Sequence, residues 1–145
     1  MAACMAMGAA GVWCGSVWLT TVEAETTPTV KQKMLKATSR NTVRSRSRTG
    51  KPTRQLQSAW SDAWGAKDAP EPLAMPLQGL LSRPPMAKVD KLAESGHDGA
   101  KNLAAYFVGQ AVGLMNTEQS ARSVVADFMK DYAEAVERLS GTLHE

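Results

Sequence analysis

The run Gly11-Val12-Trp13-Cys14 constrains this chain more than any other stretch. It is short, apolar without interruption, and bounded by Gly11 and Gly15. That pattern predicts a fully buried strand of a parallel sheet. No other stretch reads as a buried strand, and about five segments read as helices. A lone parallel strand has nothing to pair with, and its buried N–H and C=O groups would go unsatisfied. The pattern therefore predicts an α/β fold whose partner strands lie outside this polypeptide. The opening agrees: Met1 starts inside a helix-like run with no cap and no polar lead.

Around that strand the helical expectations follow from spacing and caps. Residues 1–9 are rich in Ala and predict a short helix, ended by Gly8 in the left-handed conformation. Ser16 is expected to cap a short helical turn. Residues 28–37 predict a helix with Pro28 in its first turn and Val30, Met34 and Leu35 as a rough apolar face. Residues 38–54 alternate Arg with small polar residues and read as an irregular or weakly extended excursion turning at Gly50-Lys51-Pro52. Leu56, Trp60 and Trp64 fall at i, i+4 and i+8, which predicts a helix over 55–65. Pro70, Pro72 and Pro76 mark a loop, and helix resumes after Pro85. Residues 95–99 break it. Residues 103–115 read as an apolar helix with Gly109 and Gly113 on one face, where another backbone can approach. Residues 117–139 give the strongest helix, capped by Thr117, with Val124, Val125, Phe128, Met129, Tyr132, Val136 and Leu139 as its apolar stripe. The expected divisions are 1–37, 38–76 and 77–145. The Trp60/Trp64 and Gly109/Gly113 faces are assigned to packing.

Composition excludes several classes of protein. At 145 residues, with 43% hydrophobic and 21% charged, the chain has the make-up of a globular domain. The net charge of +3 is modest but unevenly placed. Lys31, Lys33, Lys36, Arg40, Arg44, Arg46, Arg48, Lys51 and Arg54 run without an acidic residue among them. Read alone, that run is a solvated arm or a nucleic-acid patch, and it lacks the aromatic residues that stack on bases. The first 19 residues lack the positive start of a secretory signal, and glycines interrupt their apolar run. Cys4 and Cys14 read as buried free thiols of a cytoplasmic protein, although spacing does not exclude a disulfide. No metal-ligand spacing is present, and His97 and His144 read as surface residues.

Four stretches in order carry a resemblance. They are 7–25 (MGAAGVWCGSVWLTTVEAE), 42–56 (TVRSRSRTGKPTRQL), 75–81 (MPLQGLL) and 106–116 (YFVGQAVGLMN). Together they resemble the nitronate monooxygenase family, formerly the 2-nitropropane dioxygenases. Gly8-Ala9, Gly11-Val12 and Gly15-Ser16 match its last barrel strand and the turn after it. The resemblance implies a C-terminal portion of a TIM barrel, namely its last strand and helix, followed by a mainly helical extension. A complete barrel takes about 250 residues. The implied cofactor is FMN, its phosphate held at Trp13, Cys14, Gly15 and Ser16. The implied activity is FMN-dependent oxidation of nitronates. The family's histidine base has no matching position here and is expected upstream, so no catalytic residue is carried over. A flavin-dependent reductase of CoA or enoyl thioesters is the alternative within the fold. On that reading the arginines attract a small anionic or CoA-linked substrate. The non-enzyme alternative is a basic helical protein binding nucleic acid or a partner through 31–54. Apolar faces left open by an incomplete barrel predict self-association.

Overall fold

The computed structural model describes residues 1–142. Among these residues, six α-helices and one two-stranded sheet are joined by 3₁₀ turns. The helix α1 (Ala2–Ala6) ends as the sequence predicts. Gly8 takes φ 96°, its N–H donates to the Met5 carbonyl at 2.9 Å, and the Ala9 N–H donates to the Cys4 carbonyl at 3.0 Å. This is a Schellman closure, which only a residue at ease with positive φ completes cheaply.

The strand expected over 11–14 does not form. These residues take no regular secondary structure, have no strand partner among the described residues, and leave Val12 and Trp13 in solvent. The physical reason is the one that made the strand anomalous in sequence. Without neighbouring strands, its backbone groups are better satisfied by water. The only sheet among the described residues is instead an antiparallel hairpin, β1 (Thr42–Ser45) with β2 (Thr53–Leu56). It occupies the stretch expected to be a loose basic arm. Gly50, at φ 82°, turns the chain between the strands. Leu56 belongs to β2 and is not part of the Trp-bearing helix. That helix, α3 (Ala59–Trp64), starts later because Ser58 and Ser61 form a capping box.

Helix α2 (Pro28–Lys36) forms as expected. Helix α4 (Leu77–Glu94) starts well before Pro85 and contains both Pro84 and Pro85. Interior proline removes a backbone hydrogen bond and crowds the previous turn. The carbonyls left free belong to Leu80 and Leu81, whose side chains lie on the exposed face where water can serve them. The opposite face anchors the helix through Gln78, Ser82, Met86 and Ala93, all buried. Gln78 Nε2 donates to the Ser47 carbonyl at 2.7 Å, and Ser82 Oγ donates to the Arg48 carbonyl. Gly96 closes α4 in a second Schellman arrangement.

Helix α5 (Asp98–Leu103) takes Gly99 out of the expected break, and exposed His97 caps it by accepting from the Ala100 N–H. Residues 104–109 are extended, and Gln110–Leu114 form a 3₁₀ turn. The helix expected over 103–115 is therefore absent, because the Gln55–Phe107 bridge draws this segment alongside β2. The close approach expected at its glycines does occur. A Cβ on Gly113 would lie 3.0 Å from the Ser39 N. The last helix, α6 (Ala121–Gly141), is capped by Ser120 and not by Thr117. Of its apolar stripe only Val124 is buried. The core is built by Val30 and Met34 of α2, Leu56, Ala93, Ala100 and the crossing segment Ala104, Ala105, Val108, Val112 and Met115. His144 lies outside the described residues.

Candidate cofactor site

The turn after residue 14 is held from two directions. Trp18 Nε1 donates to the Cys14 carbonyl at 2.7 Å. Ser16 Oγ accepts from the Gly109 N–H at 2.8 Å. Ser16 opens the 3₁₀ turn Ser16–Thr20, and Gly15, not Ser16, is its cap. The turn's backbone bonding begins with the Trp18 N–H, which donates to the Gly15 carbonyl at 3.3 Å. The N–H groups that precede it are the ones a 3₁₀ turn leaves without an internal acceptor. A Cβ placed on Gly15 would meet nothing within 4 Å.

Two clefts share this turn. One, of about 530 Å³, has Cys14, Gly15 and Ser16 on one wall and Val124, Asp127, Phe128 and Asp131 of α6 on the other. The second, of about 490 Å³, joins Gly15, Ser16 and Leu19 to Thr53, Arg54, Phe107, Val108 and Gly109. Their charges differ in sign. The first carries two carboxylates at i and i+4 of a helix, and the second carries a guanidinium. Trp13, at 98% exposed, lines neither.

The cysteines are free, but not both buried: Cys4 is exposed and Cys14 half-buried. The basic run is not one surface either. Lys31 is buried, with Nζ 2.9 Å from Glu118 Oε1 and donating to the Thr21 carbonyl at 2.7 Å. Lys33 Nζ donates to the Lys101 and Ala104 carbonyls, and burial holds its pKa below the usual lysine value. Arg48 lies 5.3 Å from the Phe107 ring centroid and donates to the Ala105 carbonyl at 3.0 Å. Burial lowers its pKa, opposed by the nearby Asp90. Arg46 pairs with Glu71 at 3.7 Å. Sequence spacing missed these internal roles because each partner is distant in the chain. No helix of the described residues is long and apolar enough to cross a membrane.

The profile of the nitronate monooxygenase family matches residues 1–131. The chain belongs to that family. Rv1533 of Mycobacterium tuberculosis, named as a proposed monooxygenase, is 53% identical over 141 residues. That match covers 97% of this chain but 38% of Rv1533, so the chain spans well under half the length of that relative. FabK from Thermotoga maritima superposes with a TM-score of 0.65 at 27% identity, covering 97% of this chain and 42% of FabK. A point mutant of FabK gives 0.62 at 28%, with 97% and 39% covered. Nitronate monooxygenase membership, expected from the four sequence stretches, is thus shown. The α/β content and the partial coverage fit a portion of a barrel. The described residues do not close one.

Proposed function

We propose that this chain carries the FMN-phosphate turn of a flavin-dependent oxidoreductase that oxidises nitronates. The observation behind the reading is the open backbone at Gly15. Its missing side chain leaves room beside the N–H groups that start the 3₁₀ turn, and those groups suit an anion. Cys14 and Gly15 present backbone to the ligand, with the Cys14 carbonyl fixed by Trp18. Ser16 Oγ already accepts from Gly109, so its proton is free to donate to a phosphate oxygen. Trp13 contributes through its backbone, since its ring points to solvent. The phosphate sits in the Arg54 cleft, because Asp127 and Asp131 repel a dianion from the other. Bound FMN would supply the redox chemistry.

Gly15→Val tests this. A Cβ at this position meets nothing within 4 Å, so the fold should be kept while the space beside the turn's N–H groups is occupied. FMN affinity should fall at least about tenfold, and riboflavin, which lacks the phosphate, should bind as before. Equal FMN affinity in the variant would remove the reading. The flavin-dependent thioester reductase remains the second reading. The FabK likeness stands behind it, and at 27–28% identity that is weaker than the 53% to Rv1533.

A further inference from the structure

Of the four arginines in the hairpin region, two are committed to structure: Arg46 to Glu71 and Gly50, and Arg48 to Ala105 and Phe107. The other two face each other. Arg44 and Arg54 are direct partners in the β1–β2 register. Like charges directly opposite on a sheet destabilise it. Neither has a carboxylate within salt-bridge distance among the described residues, and Arg54 is held only by the neutral Thr42 Oγ1 at 3.0 Å.

The backbone carries the Arg54 end of this pair to the Gly15–Ser16 turn, with Arg44 reaching it as the cross-strand neighbour of Arg54. The Val108 N–H donates to the Arg54 carbonyl at 3.2 Å, and the next residue, Gly109, donates to Ser16 Oγ. Arg54 and Ser16 accordingly line the same open cleft. We propose that the opposed Arg44 and Arg54 guanidiniums form a phosphate-monoester site at the lip of that cleft. A dianion between them converts a repulsive pair into an attractive one. The guanidinium forks match phosphate oxygens bidentately, which a lysine at either position would not. The inference rests in part on the cofactor reading, since the phosphate is either that of FMN or one borne by the substrate.

The test compares the wild-type chain with Arg44→Gln/Arg54→Gln and with Arg54→Lys. Both positions are at the surface or half-buried and leave the core intact. The probes are FMN, riboflavin and adenosine 3′,5′-bisphosphate, with phenyl phosphate as competitor. If the pair grips the cofactor, the double variant binds FMN about tenfold more weakly and riboflavin equally. If it grips a substrate phosphate, FMN is unaffected and the bisphosphate weakens by a similar factor. Arg54→Lys should recover only part of either loss. The proposal is overturned if the double variant matches wild type for both phosphorylated probes. A wild-type chain that ignores FMN but still loses the bisphosphate in the double variant would sink the cofactor reading alone.

Discussion

Ser16 Oγ and the Gly109 N–H meet at 2.8 Å across 93 positions of sequence. This bond joins the turn after residue 14 to the segment that crosses the core. Ser16→Ala leaves the partly buried Gly109 N–H without its acceptor. Such a loss costs about 1–3 kcal/mol. Urea denaturation should show a lower midpoint with an unchanged slope. An unaltered midpoint would mean that water replaces the hydroxyl without penalty.

Gly50 and Gly113 should differ sharply in their tolerance of alanine. At Gly50 the φ of 82° already disfavours a side chain, and a Cβ would press on the Leu73 carbonyl and sit 2.6 Å from Met75 N. These are backbone atoms of another loop and cannot swing aside. Gly50→Ala should therefore cost roughly 3 kcal/mol or more. At Gly113 the nearest atom, Ser39 N, is 3.0 Å away, and a shift of a few tenths of an ångström relieves the clash. A cost of about 1 kcal/mol is expected there. Denaturation midpoints in the reverse order would contradict this account.

Lys31 spans from the Thr21 carbonyl to Glu118, and so ties the turn region to the segment leading into α6. Its ammonium is nearly buried, whereas Glu118 is more exposed. The double variant Lys31→Met/Glu118→Ala should lose less stability than the two single changes added together, because the two groups act on one contact. The cycle should return a coupling of about 0.5–1.5 kcal/mol, discounted for the exposed carboxylate. Additive costs would show that the pair contributes nothing jointly.

How far this arrangement was legible in sequence depended on the range of the forces involved. Local rules located α1, α2 and the Pro-rich loop, and they placed Gly8 at a helix end. They failed where distant partners decide. Leu56 matches Trp60 and Trp64 in helical spacing, yet β1 and residues 106–108 recruit it into a ladder. Residues 103–115 are apolar enough for a helix, yet Gln55 pairs with Phe107. The alternation of Arg with Ser and Thr over 42–54 was the period-2 signal of the hairpin. Its polarity disguised it, because one face meets solvent while Ser47 and Gln55 are buried. At the candidate site the glycines were visible as a pattern. The Ser16–Gly109 and Arg44–Arg54 relationships were not, since no spacing rule joins residues so far apart.

Asp90 should make stability depend on pH. Desolvation raises its carboxyl pKa above the ordinary 3.8, against the pull of Arg48 and with help from Glu94, and its Oδ1 is buried without a partner. A group whose folded pKa is raised favours the fold in its protonated form. Its contribution is therefore complete below the unfolded value and is lost as pH climbs through the folded one. At pH 7 the ionised carboxylate is a net cost. Asp90→Asn should raise the melting temperature at pH 7, and the advantage should shrink toward pH 4. A variant less stable than wild type at pH 7 would show that the charge on Arg48 depends on Asp90 more than burial opposes it.

The open apolar surface should make the isolated chain associate with itself. Trp13, Leu114 and Met7 are 98, 85 and 81% exposed, and Val125, Met129, Val136 and Leu139 lie along α6 in solvent. Residues 11–14 add backbone groups with no strand partner among the described residues, and unpaired backbone beside apolar side chains recruits other chains. Sedimentation velocity should therefore show a mass above 15.5 kDa that grows with concentration. Trp13→Asp with Met129→Glu should suppress the growth while leaving the helical signal intact, since neither side chain is in the core. High salt should not disperse the assemblies, because burial of apolar area drives them and charge does not. A concentration-independent monomer would show that these faces are tolerated by water as they stand.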